Sequence, residues 1–169
     1  MGMSKKRDVL ALLMLIAVLT ASVAAIAQEA SSHAVPYCAD LKRVAALATT
    51  KERFGSIAGQ LRQGNFLETS LTLSGWKDCV LYGTRTYACD SPAWSTPADA
   101  ETTLVAFIRD IKDCLGETWS EVADRSSPGY TVLHDLRHPV SITLSIDRTD
   151  DMKHVVRLIV FVRGSEGPR

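Results

Sequence analysis

The order of hydrophobic patterns along this 169-residue chain predicts an α+β fold, in which two helices pack on one face of a mostly antiparallel sheet of about five strands, stapled by two disulfides. Three observations carry the prediction. Ala100, Leu104, Phe107, Ile108, Ile111, Cys114 and Leu115 share one helical stripe. Val140, Ile142, Leu144 and Ile146 alternate with Ser141, Thr143 and Ser145 at the period of a strand with one wet face. Four cysteines, Cys38, Cys79, Cys89 and Cys114, are spread along a chain that opens like an exported protein.

That opening is a short basic stretch, Lys5, Lys6 and Arg7, followed by an apolar run from Val9 that ends in small residues. Ala25-Ile26-Ala27 has the A-x-A form of a signal-peptidase site, so residues 1–27 read as a signal peptide and 28–169 as a single α+β domain beginning at Gln28. The run also approaches the roughly 20 residues that span a bilayer. The small residues before Gln28 favour cleavage over a retained anchor, which predicts a periplasmic or secreted protein without a stable membrane anchor. Without residues 1–27 the chain keeps 16 basic and 18 acidic residues. No dense Lys/Arg cluster remains, and nucleic acid is excluded as the expected partner.

Within the domain, Leu41, Val44, Ala45 and Ala48 recur at helical spacing after "SSHAVPY", so a first helix begins near Cys38. Thr49 and Glu52 form a capping-box pattern, and Phe54, Ile57, Ala58 and Leu61 continue an apolar face, which predicts that the helix breaks and resumes until Gln63-Gly64-Asn65. Phe66 to Leu73 reads as a short strand. Residues 79–89 follow as a second strand, because Val80, Tyr82, Thr84 and Thr86 alternate; a hairpin turning at Gly83-Thr84 is the alternative. Thr96-Pro97 supplies an N-cap and a first-turn proline for the second helix, and Gly116 ends it. "YTVLHDL", "VSITLSI" and the nearly continuous "VVRLIVFV" are the last three strands, the final one central, with a turn over 148–153 and a frayed tail "RGSEGPR".

In an oxidising compartment the four cysteines make two disulfides, since their spacing offers neither a C-x-x-C pair nor a zinc cluster. A single strand over 79–89 would separate its ends by about 33 Å, far beyond the roughly 7 Å that a disulfide allows between Cα atoms. It therefore predicts Cys79–Cys114 and Cys38–Cys89. The hairpin alternative instead permits Cys79–Cys89 and leaves Cys38 to meet Cys114.

Trp76 and Trp119 flank cysteines and are expected to shield the core, or to form a binding platform. Trp94, in "SPAWSTP", has small polar neighbours and is expected to be the exposed anchor of a recognition loop. The one cluster with catalytic chemistry is "HDLRHP", where His134, Asp135, Arg137 and His138 crowd a turn. On an extended strand the two histidines would lie about 13 Å apart, too far to share a metal. Asp147, Asp150 and Asp151 read as a solvated hairpin end, and His33 and His154 as solitary. No nucleophile elbow, phosphate loop, H-E-x-x-H or EF-hand pattern occurs, so neither a cofactor nor a metal is expected. The expectation is a non-enzymatic binding protein with an envelope or extracellular protein partner; the alternative is a small hydrolase or metal-dependent enzyme using the His134/Asp135/His138 turn.

Overall fold

A computed structural model describes residues 35–164; the signal segment, the Gln28 cleavage point, His33 and residues 165–169 of the tail lie outside them. The described chain opens with α1 (Cys38–Ala48), followed by a 3₁₀ turn at Arg53–Ile57 and the strands β1 (Ala58–Gln63), β2 (Phe66–Thr69), β3 (Lys77–Tyr82) and β4 (Thr86–Asp90). A second round repeats the pattern: α2 (Pro97–Leu115), then β5 (Trp119–Glu121), a 3₁₀ turn at Ala123–Arg125, β6 (Tyr130–Asp135), β7 (Val140–Arg148) and β8 (His154–Val162). The sheet has eight strands in the order β1-β2-β3-β4-β8-β7-β6-β5. All neighbours are antiparallel.

The α+β architecture holds, with eight strands where the sequence suggested about five. α2 forms as its stripe requires: the Thr96 hydroxyl accepts from the Asp99 N–H, Pro97 occupies the first turn, and Gly116 closes the helix at φ 82°. The apolar run of β8 lies between β4 and β7, central as expected.

The first helix does not resume. The Thr49 hydroxyl donates to the Ala46 carbonyl and Thr50 to Leu47, tying off the last turn of α1, so Thr49 is a C-cap rather than the start of a capping box. Arg53 then takes φ 52°, and the chain leaves for β1. Only the first residue of β1 is even partly buried, so no hydrophobic alternation announces it. Gly64-Asn65 is the two-residue loop of the β1–β2 hairpin, with Gly64 at φ 59° in the glycine-first position such loops favour.

Residues 79–89 are likewise a hairpin and not one strand. Tyr82 pairs with Thr86, Leu81 with Tyr87 and Val80 with Ala88, a register that sets Cys79 opposite Cys89. Those two cysteines are bonded, with Cα atoms 4.1 Å apart, and Cys38 is bonded to Cys114 with Cα atoms 5.5 Å apart. The pairing Cys79–Cys114 and Cys38–Cys89 is thus corrected: it followed from a strand that turns back at Gly83, where φ is 56°.

Strand alternation sends one set of side chains to the helices. Tyr87 and Cys89 of β4, Leu133 of β6, Val140, Ile142 and Leu144 of β7, and Val156, Leu158, Val160 and Val162 of β8 share a core with Leu41 and Val44 of α1 and Leu104 and Ile111 of α2. Each such side chain, fully buried, contributes about 1.5–3 kcal/mol. The alternate residues, including Val80, Tyr82, Ala88, Asp90 and Arg157, point to the far face of the sheet. No helix among the described residues is long and apolar enough to cross a membrane.

Candidate functional site

The far face carries a half-open groove of about 330 Å³, lined by Arg62 and Gln63 of β1, Phe66 of β2, Asp78, Val80 and Tyr82 of β3, Ala88 and Asp90 of β4, and Arg157 of β8. Its floor is Val80 beside Ala88, paired across β3 and β4. At one end Phe66 is the registered partner of Tyr82, and their rings lie 4.5 Å apart between centroids. Close aromatic neighbours of this kind form a rigid apolar surface at little entropic cost, with the Tyr hydroxyl as a polar edge.

The other end is charged and fixed. Arg157 stands opposite Asp90 in the β4–β8 pairing, and its Nε and Nη2 donate to the two carboxylate oxygens at 2.7 and 2.9 Å. Its Nη1 meets Asp147 on β7 at 2.7 Å. Those hydrogen bonds to Asp90, with the charges of Asp90 and Asp147, outweigh burial and push the Arg157 pKa further up, so the guanidinium is held protonated. Asp147 is therefore an ion-pair partner in the sheet and not a solvated hairpin residue. Asp78 reaches this end through a break in the β3–β4 register between Lys77 and Val80, where its own φ is 47°. A bulge of this sort re-aims a side chain at local conformational cost.

Sequence reasoning did not find this groove. Its residues come from five strands, two of them hidden by the missed hairpins, and none belongs to a spaced motif. The alternation of Val80 and Tyr82 was the available signal, since it placed both on one face.

The histidine turn is assembled, and its groups are occupied in holding it. Asp135, 5 % exposed, accepts from the Arg137 N–H at 2.9 Å and lies 2.7 Å from His138 Nδ1. Burial alone would raise the Asp135 pKa; the bonds from Arg137 and His138 outweigh it and hold the carboxyl below its ordinary value. Arg163, assigned by sequence to a frayed tail, closes the cluster: Nη2 donates to the carbonyls of Asp135 and His138, and Nη1 lies 3.1 Å from His134 Nδ1. Burial lowers the His134 pKa, and Arg163 and Arg125 lower it further. Among the described residues no three His, Cys, Asp or Glu side chains gather as a metal site.

Trp94 is not the free indole expected. It is half-buried against the core, and its backbone exchanges two hydrogen bonds with His154, at 2.7 and 2.9 Å. His154 is correspondingly tied in rather than solitary. Trp76 and Trp119 are each 8 % exposed, which suits shielding of the core and not a platform. Trp76 packs with Phe107 at 4.7 Å and edge-on to Tyr37 at 5.8 Å. No known family model, curated protein or solved structure matches this chain.

Proposed function

We propose that this is an exported, periplasmic or secreted, non-enzymatic binding protein whose recognition surface is the far-face groove over β1, β2, β3, β4 and β8. The observation that carries the reading is the preformed character of that groove: Phe66 and Tyr82 in close, tilted ring contact at one end, and an Arg157 immobilised by two carboxylates at the other. Ligand sites are typically concave, mostly apolar and furnished with a few fixed polar groups, and preorganisation lowers the entropic cost of binding. Two disulfides and the basic-apolar leader with its A-x-A site support export. The expected partner is an envelope or extracellular protein. Trp94, half-buried and locked to His154, is a less favourable anchor than the groove.

Titrating the 28–169 protein with a panel of amphipathic fragments and short peptides, followed by amide NMR shifts, tests the reading. Saturable shifts are expected at Phe66, Val80, Tyr82, Ala88 and Asp90, and are lost in Tyr82→Ala. Shifts confined to His134 and His138, with turnover of hydrolase substrates that vanishes in the variant carrying His134→Ala, Asp135→Ala and His138→Ala, would establish the enzyme alternative instead.

A further inference from the structure

We infer that the groove takes a lysine or arginine side chain of an extended peptide, with an apolar residue two places away seated on Phe66 and Tyr82; this rests on the reading of the groove as the recognition surface. The charges at its two ends differ. At the Arg157 end the lining charges are Asp78, Asp90 and Arg157, and Arg157 is already paired with Asp90 and, from β7, with Asp147; the other lining cation, Arg62, lies toward Phe66. Three of the five N–H donors of Arg157 are already engaged, Nε and Nη2 by Asp90 and Nη1 by Asp147, so its charge is compensated by two carboxylates before a ligand arrives. Both oxygens of Asp90 are engaged by the same guanidinium. The Asp78 carboxylate, exposed and without a side-chain hydrogen bond or ion pair to any described residue, is the lining acceptor left to a ligand cation.

The dimensions fit a peptide side chain better than a large compound. From Tyr82 to Asp78 is four residues along β3, about 13 Å at ~3.3 Å per residue. In an extended peptide, residues i and i+2 share a face about 7 Å apart. An apolar residue over Phe66 and Tyr82 therefore places the second side chain above Val80 and Ala88. The four-carbon stem of lysine then lies on that apolar floor while its ammonium reaches Asp78. Arg62 and Gln63, which the β1–β2 register sets beside Phe66, are left for carbonyl groups of the same peptide. A volume of about 330 Å³ lies at the small end of ligand pockets, suited to one or two side chains.

The test compares two capped peptides, acetyl-Phe-Ala-Lys-amide and acetyl-Phe-Ala-Glu-amide, by amide NMR on the 28–169 protein. The lysine peptide is expected to shift Asp78, Val80, Tyr82 and Ala88 saturably, to weaken as NaCl is raised, and to lose roughly tenfold in affinity in Asp78→Asn. Asparagine tolerates the left-handed φ of position 78, so that variant keeps the fold. Preference for the glutamate peptide, or an unchanged lysine affinity in Asp78→Asn, overturns the charge assignment while leaving the groove as a binding surface. No shift in the groove from either peptide overturns this inference, and silence toward the wider fragment panel as well overturns the recognition reading.

Discussion

Tyr37 and Tyr87 are both buried core tyrosines, yet their hydroxyls meet different fates. Tyr87 donates to the Leu71 carbonyl at 3.0 Å, whereas the Tyr37 hydroxyl is buried without a partner among the described residues, as is Trp76 Nε1 beside it. Burial first, and the nearby charge of Asp110 or Asp40 second, pushes both phenols well above their ordinary pKa, so neither ionises near neutrality. Removing a satisfied buried hydroxyl costs about 1 kcal/mol, and removing an orphaned one costs nothing or stabilises. Urea denaturation should therefore show Tyr87→Phe destabilised by about that amount and Tyr37→Phe at or above the parent stability. A second residue-scale expectation concerns pH. His134 has a folded pKa below its unfolded 6.5, so the unfolded chain binds its proton first. That contribution to stability is complete above pH 6.5 and is lost as pH falls below it. Denaturation midpoints should drop from about pH 7 to pH 5, and the drop should be smaller in His134→Gln.

Among the elements, the two disulfides do unequal work. Cys38–Cys114 joins the start of α1 to the end of α2 across a separation of 76 residues, and Cys79–Cys89 crosses a hairpin over 10. Chain entropy assigns about 4.5 kcal/mol to the first and about 3 kcal/mol to the second. Cys38→Ala and Cys114→Ala should each cost more than Cys79→Ala, and the Cys38→Ala/Cys114→Ala double variant should be hardly worse than either single one, since bonded partners act as a unit. Denaturation of the four variants, with non-reducing peptide maps of the parent, checks both halves. How much of these elements the sequence revealed depends on burial. α2 and β8 were legible because each turns a continuous apolar face or run to the core. β1 was not, because five of its six residues are exposed and it carries no period. β5, three residues long, offers too few positions to show alternation. The disulfide pairing failed with the strand that implied it, although Gly83, midway between two cysteines ten apart, held the information for the hairpin. Asp135, Arg137 and His138 were legible as a local cluster, whereas Arg163 joins them only through the β7–β8 pairing.

At the scale of the molecule the topology is palindromic: a helix and a four-strand meander, then a second helix and meander, meeting where β4 pairs with β8. The Cys38–Cys114 bond fastens the first half to the second on the helical face. On the far face Arg157 of the second half pairs with Asp90 of the first, so the groove is completed only when the halves join. Both sheet edges are blunted against further pairing, β5 by its length and β1 by two register irregularities with β2. The proposed recognition surface is accordingly the far face and not an edge. The most direct measurement is photocrosslinking in exporting cells from a benzophenone amino acid placed at Arg62, on the groove rim, and at Val105, 68 % exposed on α2. A discrete protein adduct is expected from position 62 that disappears with Tyr82→Ala, and none from position 105. Adducts from position 105 alone, or a position 62 adduct indifferent to Tyr82→Ala, would contradict recognition by the groove.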